Sequence, residues 1–524
     1  MRTAVRYVAG AVALALAAGG CTAGERGGEP ATPSPSVTAS RSDGTASPPP
    51  EERPAGDVLR VRHLPQGEDV AVELTALDRV SPQRVVARWR VRNDTDRPYK
   101  FGATLAVPWN SPRLHSNSIG GVSLLDHVNG TRAYPLGYGD DSCLCTRGWP
   151  SVEAHATKEL VAVFPAPPAG VTRVDVLFGP VPPFLDVPIG TAAPERLRVT
   201  DGDDEPVDPM SVRATEPQVL RLVSQVDDAA KARDDDGERL SLRLSADVLF
   251  AVNKATLTSR AQVVLREVAA EIDRSDGATV TVEGHADSTG TDAVNDPLSA
   301  ERARSVEKAL RELVTRDGVS YEARGHGSRR PVAKNDNAAG RRLNRRVTVS
   351  FDRPAAEPGP SDTAAPRTAT PQPAMTGKDL PVIATAPAGA PPPYESDWPR
   401  QADVRVNELR RDAGGYVLLT WTVHNRDDLP LNVWTSSKDS SGLYEESSTT
   451  AITLEAGDRR YRTVRDADAR VAIGPDLQRL GLDDYTVEKG EQYTLWAMFK
   501  PPADVSRVTV RIPGFEPVSD VPIS

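Results

Sequence analysis

Asp287 and Arg302 stand fifteen residues apart, in the stretches Gly284-His285-Ala286-Asp287 and Leu298-Ser299-Ala300-Glu301-Arg302. A carboxylate offers a fixed anion, and a guanidinium is a planar fork that can donate paired bonds to a carboxylate as an ammonium cannot. One anion and one fork are the two groups that a small zwitterion requires. The same residues also fit a plainer pattern, in which Asp287 caps a turn and Arg302 pairs with it internally. His285 and His326 sit beside glycines, but neither belongs to a zinc spacing such as His-Glu-x-x-His, so loop structure is their simpler role. Paired carboxylates, a nucleophile elbow and a phosphate loop do not occur at convincing spacing. The expectation is a binding protein rather than an enzyme, with no cofactor and no metal.

The remaining reactive side chains are three cysteines: Cys21, Cys143 and Cys145. Arg2 and Arg6 precede an uncharged run from Tyr7 to Gly20, which is too short to cross a hydrocarbon layer that needs about 20 helical residues. The run ends in Ala18-Gly19-Gly20-Cys21, which resembles the bacterial lipobox, with Ala18 where Leu is commoner. Export and lipidation at Cys21 follow from that resemblance, so the membrane is an expected partner through an N-terminal lipid. Export also places Cys143 and Cys145 in an oxidising compartment, where a disulfide between them would staple a loop.

Lysine and arginine number 63 against 73 acidic residues, a net charge of −10. A surplus of acid argues against the phosphate neutralisation on which most nucleic-acid affinity depends. At about 150 residues per domain, 524 residues suggest roughly three folded units. Residues 22–56 hold seven prolines and almost no large apolar side chain, and 354–399 hold twelve. Such segments bury too little surface to offset their ordering entropy and read as linkers.

Around these linkers the chain repeats itself. Trp89 to Asn93, followed by Pro98, matches Trp421 to Asn425, followed by Pro430, and both copies close on Val-Pro-Ile at Val187 and Val521. Alternating stretches such as Val85–Val91 and Val417–Val423, broken by turn residues, predict antiparallel sandwiches at 57–200 and 400–524. They resemble immunoglobulin-like sandwiches, with each tryptophan as a core anchor.

The elements that must position Asp287 and Arg302 lie between, at 241–353, after a connecting segment at 201–240. A strand over Leu242–Phe250, a helix over Ser259–Ile272, a strand at Val280 and Val282, a helix over Ser299–Val314 and strands at Val319–Ala323 and Arg346–Phe351 predict an α+β domain on a small mixed sheet. If Ser299 caps its helix, Arg302 falls in the first turn, where the helix dipole disfavours a cation.

Within this span, Gly284-His285-Ala286-Asp287, Asn295-Asp-Pro-Leu298-Ser299-Ala-Glu-Arg302-Ala303, Gly325-His-Gly327 and Asn344-Arg345-Arg346-Val347 together resemble the OmpA-like domain. The resemblance covers roughly 110 residues. It implies non-covalent binding of peptidoglycan through diaminopimelate, with Asp287 meeting the ammonium, Arg302 the carboxylate, and Asn295 and Leu298 lining the groove. Ala286 replaces the usual Thr, and Val252-Asn253 stands where many relatives have Asp. Asn344-Arg345-Arg346 reads as the start of the closing strand.

The whole is expected to be a lipid-anchored envelope protein, 1–21 being a lipoprotein signal, whose two sandwiches recruit an envelope partner or act as spacers. The rival readings are a wall hydrolase using His285 and Asp287, and a solute-binding or adhesive lipoprotein acting through the sandwiches.

Overall fold

A computed structural model describes residues 58–353 and 380–524, apart from 66–68, 102–104, 106–117, 139–141, 149–150, 198, 200–205, 229, 393–396, 434–443, 445–448, 468–471 and 476–485. Cys21, the signal segment, the linker at 22–56 and most of 354–399 lie outside the described residues. Among the described residues, no helix is long and apolar enough to cross a membrane.

The chain is rich in strands, and its first part shows why. Along Arg84–Asn93, Ala87, Trp89 and Val91 face inward while Arg88, Arg90 and Arg92 stay half-exposed, the two-residue period of a strand with one wet face. That strand pairs with Val70–Ser81 and Thr157–Pro165. Its inner face packs on Val174, Val176 and Val187, which come from the strands Arg173–Leu177 and Phe184–Pro188. In the C-terminal part, Ala402–Arg411, Val417–Asn425 and Gln492–Phe499 form the corresponding sheet, with Trp421 fully buried.

Two hydrogen-bond devices recur in both parts. Asn93 Nδ2 donates to the carbonyls of Arg97 and Val152, and Asn425 Nδ2 donates to those of Leu429 and Val487. Arg79 reaches the carbonyls of Pro167 and Val171, and Arg411 those of Pro501 and Val505. Cys143 and Cys145 are joined by a disulfide inside the first core, with Cα atoms 5.2 Å apart.

The central domain builds a four-stranded mixed sheet in the order Arg239–Ser245, Arg346–Asp352, Thr279–His285, Ser320–Gly325, the last pair parallel. Four helices accompany it: α1 Ala246–Leu249, α2 Ser259–Arg274, α3 Asp292–Leu313 and α4 Ala338–Asn344. Helix α2 is capped by Thr258, whose side chain accepts the Ala261 N–H. It buries Val264, Val268 and Ile272 against the sheet but leaves Val263 exposed.

Several sequence expectations need correction. The strand expected to reach Phe250 ends at Ser245, and its last third coils into α1, because the alternating pattern there also fits one turn of helix. Helix α3 begins at Asp292, not Ser299, so Arg302 lies mid-helix and the dipole argument does not apply to it. Pro297 falls inside α3. Its missing N–H leaves only the exposed Ala293 carbonyl without its helical partner, which water can satisfy. The strand Ala384–Pro387 falls inside the stretch read as linker, its proline tolerated on a sheet edge.

Residues 201–240, read as a connection, hold two strands. Val219–Asp227 pairs through residues 219–221 with Thr131–Ala133 of the first part and through 222–227 with Arg459–Asp466 of the last. It then turns into Lys231–Asp235, which continues onto Arg239–Ser245. One strand thus stitches all three parts, and its Asp227 is clamped by Arg460 and Arg462.

Candidate functional site

Asp287 follows the central strand Thr279–His285, and Arg302 projects from α3, which lies across that strand. The approach is unusually close: a Cβ on Gly284 would drive into the Ser299 carbonyl oxygen, and one on Gly325 into the Ala300 backbone. Only glycine leaves room for the helix backbone at these two points. Ser299 exploits the contact, its hydroxyl accepting the Gly327 N–H at 3.0 Å and donating to the Asp296 carbonyl. With α3 seated, Asn295, Ser299, Arg302 and Val306 all face inward, a spacing of four, three and four residues that marks one helix face.

Asp287 is 4 % exposed and occupied on both oxygens. Its Oδ1 accepts the Thr289 N–H at 2.9 Å and the Thr289 hydroxyl, so Asp287 does cap a turn. Its Oδ2 accepts Arg345 Nη1 at 2.7 Å. Arg345 reaches Asp247 with its other two nitrogens, at 2.9 and 2.7 Å. Burial alone would raise the Asp287 pKa, but the bonds from Thr289 and Arg345 outweigh it and hold the carboxyl below its ordinary range. The group is therefore a fixed anion at neutral pH. A carboxylate has about four acceptor positions, so it can still take one more N–H.

Arg302 does not pair with Asp287; Arg345 does. Arg302 Nε donates to the Lys254 carbonyl at 3.1 Å, and its guanidinium carbon lies 5.2 Å from the centre of the Phe250 ring. Its Nη groups make no hydrogen bond within the described residues, yet they are not buried orphans, so they keep contact with solvent. Overall Arg302 is 8 % exposed. Burial lowers its pKa and Asp247 opposes the shift, leaving an arginine charged at neutral pH. The result is an ionised carboxylate and a guanidinium whose Nη groups are not sealed from solvent, near enough for the Asp287 charge to act on Arg302.

Asn295 holds the groove wall by donating Nδ2 to the carbonyls of Asp287 and Thr289, at 3.4 and 3.0 Å. Leu298 is half-buried on the turn of α3 between Asn295 and Arg302. Asn344, expected to open the closing strand, ends α4 instead and ties down a loop, the strand starting at Arg346. Its Oδ1 accepts the N–H groups of Val332 and Ala333, and its Nδ2 donates to Asn335 Oδ1, which also accepts the Ser288 N–H. The departure at Val252-Asn253 also has a structural role. Asn253 adopts φ +56°, a left-handed turn that asparagine tolerates better than most residues, just before the Lys254 carbonyl that orients Arg302.

His285 is 3 % exposed and stacks on His326 with ring centres 5.2 Å apart. Burial, reinforced by Arg346 and His326, pushes its pKa down to about 2. His326 is engaged by Glu283 at 2.7 Å. Sequence reasoning missed Arg345, Asp247 and Phe250 as parts of this site. The Asn344-Arg345-Arg346 motif was visible, but which of its arginines reaches Asp287 depends on the turn after α4.

Comparison with known proteins adds an independent line. The model of the OmpA family matches residues 249–345. Outer membrane porin F of Pseudomonas aeruginosa is 36 % identical over 111 residues, 21 % of this chain and 32 % of that protein. A putative lipoprotein YfiB of Escherichia coli K12 is 34 % identical over 116 residues, 22 % of this chain and 71 % of that protein. Among solved structures, the cell wall anchor of the T6SS from Pseudomonas aeruginosa is 31 % identical, with a TM-score of 0.22, covering 24 % of this chain and 87 % of that one. The chain spans about a third of the length of the porin F and Omp38 relatives that it matches.

Proposed function

Because the chain belongs to the OmpA family through its central domain, we propose that it is a cell-envelope protein that holds peptidoglycan non-covalently between Asp287 and Arg302. The free end of diaminopimelate carries an ammonium and a carboxylate. Its ammonium would sit against Asp287, already ionised and braced by Arg345, and its carboxylate would take paired bonds from the Nη groups of Arg302. The observation that carries the reading is that open guanidinium, held by its Nε and its ring contact while both Nη groups stay unclaimed.

The groove favours holding over proton transfer. A general acid or base works best with a pKa near the operating pH. Here Asp287 is held ionised by Thr289 and Arg345, and His285 is kept neutral by burial, so neither is poised to shuttle a proton. Lipidation at Cys21 would make attachment bivalent, since a membrane anchor raises the effective concentration of the groove near the wall. The flanking parts at 57–200 and 400–524 we read as two copies of an immunoglobulin-like sandwich, a reading supported by the matched Asn93/Asn425 and Arg79/Arg411 bonding. They would act as spacers or as a dock for an envelope partner.

Sedimentation with purified diaminopimelate-containing sacculi tests the reading. Arg302→Ala should weaken co-pelleting about 10- to 100-fold, the worth of roughly 1.5–3 kcal/mol of charged hydrogen bonding. Asp287→Ala should also weaken it, and a lysine-type wall should bind poorly because it lacks the second carboxylate. Equal pelleting by folded variants would sink the site assignment, and release of soluble muropeptides would point to hydrolysis instead.

A further inference from the structure

A second cluster of ionisable groups lies far from the groove, where the two β-rich flanking parts meet. His127 follows the strand Ser123–Asp126, Asp175 lies within Arg173–Leu177, and Asp186 within Phe184–Pro188, all in the first part. Asp412 comes from the turn after Ala402–Arg411 in the last part. His127 Nδ1 lies 3.8 Å from Asp175 Oδ1 and 4.0 Å from Asp412 Oδ2. One ligand atom from each of His127, Asp175 and Asp186 falls within 4.8 Å of the others.

Three of these side chains are almost completely enclosed: Asp175 is 0 %, His127 4 % and Asp412 5 % exposed. His127 Nδ1 is buried with no hydrogen-bond partner, and Asp175 Oδ2 and Asp412 Oδ2 are likewise buried with no donor while both acids are ionised, although the two carboxyls lie close enough to bond if one holds a proton. Among the described residues, no lysine or arginine forms an ion pair with Asp175 or Asp412. The surroundings are apolar, since Leu125, Leu177, Leu185, Tyr416 and Trp496 form the core of the same seam. Buried charges are paired or coordinate a metal, because an isolated carboxylate in such a place is very costly. Burial accordingly pushes Asp175 up to about 7, and pushes Asp412 well above the usual carboxylate range.

We propose that this seam binds one divalent transition-metal ion of the zinc class, ligated by His127, Asp175, Asp412 and Asp186, which fastens the first flanking part to the last. Bonds of about 2.0–2.2 Å to one ion place ligand atoms roughly 3–4 Å apart, the spacing seen here between His127 and its two carboxylates. A set of one imidazole with carboxylates selects zinc-like ions over calcium and magnesium, which prefer all-oxygen cages. The turn carrying Asp412 can close on His127 because Gly414 lacks a side chain; a Cβ there would strike the His127 Cβ. Asp186 is held in place as its Oδ1 accepts the Ala413 N–H at 3.0 Å.

The test uses the full-length chain, stripped with chelator and equilibrated with Zn²⁺. After gel filtration, wild type should retain one zinc equivalent by elemental analysis and melt on the order of 5 °C higher than in chelator, with no such shift from Ca²⁺ or Mg²⁺. Asp412→Asn and His127→Gln should lose both the retained zinc and the shift. In chelator, Asp412→Asn should melt close to wild type, since the Asp412 carboxyl is already held neutral there and the amide matches it in shape, which separates lost ligation from misfolding. Zinc retained equally by Asp412→Asn, or no retention by wild type, would overturn the site. In the second case a proton shared by Asp175 and Asp412 would be what holds the seam.

Discussion

Asp287 and Asp175 are both carboxylates almost removed from water, and their surroundings push them in opposite directions. Asp287 lies just past the end of an interior strand of the central sheet, where Thr289 and Arg345 supply donors, and it stays ionised. Asp175 lies in the seam between the flanking parts beside a second acid and one histidine, and its carboxyl is pushed up to about 7. Burial penalises charge in both places. The difference comes from whether the chain itself provides a countercharge. A groove with its own cation can present a stable anion to a zwitterion, whereas a seam without one calls for a cation from outside.

The sharpest way to break this contrast is stability against pH with metal chelated. Asp175 has a raised folded value, so its favourable protonated state is fully present near pH 4 and is lost as pH rises through about 7. Asp175→Asn should abolish that loss, worth at most about 4 kcal/mol at roughly 1.4 kcal/mol per unit. Asp287 has a lowered folded value, so its contribution is present above the ordinary carboxylate range and is lost as pH falls through the folded value. Melting curves of Asp175→Asn and Asp287→Asn across pH 3–8 should therefore depart from wild type at opposite ends. Parallel departures would dissolve the comparison.

Arg345→Ala should cost about 2–3 kcal/mol in chemical denaturation, the upper range for leaving a buried acceptor without its donor, because Asp287 loses its charged partner while the exposed Asp247 is rehydrated. It should also make sacculus binding fall off in mild acid as the Asp287 pKa rises. An unchanged pH profile of binding would show that Arg345 does not hold Asp287 ionised. Gly284→Ala should destabilise by roughly 1–3 kcal/mol and weaken binding together, since lifting α3 from the sheet moves Arg302. Normal binding by this variant would separate helix seating from ligand grip. The smallest effect belongs to Arg329→Ala, which removes an exposed, solvent-screened pair with Asp296 and should leave the denaturation curve indistinguishable from wild type.

Much of the groove could be read from short stretches of chain. Gly284 and Gly325 stand where a helix touches a strand, and Asp287 stands where a turn must follow. Those requirements are local and steric, so they leave a mark at fixed spacing. The start of α3 differs from the expected Ser299 because a serine before an apolar run carries the local mark of a cap, and nothing local shows that the helix already runs through Pro297. Leu242–Phe250 was misread for a similar reason, since a single helical turn after a strand carries too few residues to reveal its period.

By itself the sequence determined the OmpA-like module, its mixed sheet and helices, and the strands around Val85–Val91 and Val417–Val423 that bury Trp89 and Trp421. Only the tertiary structure decided that Arg345 rather than Arg302 pairs with Asp287, that Val219–Asp227 stitches the parts together, and that Asp175 meets Asp412 from the other end of the chain. Periodicity and glycine placement act over a few residues and are written along the chain. The partner of a buried charge is set by which distant elements pack beside it, and no local spacing encodes that.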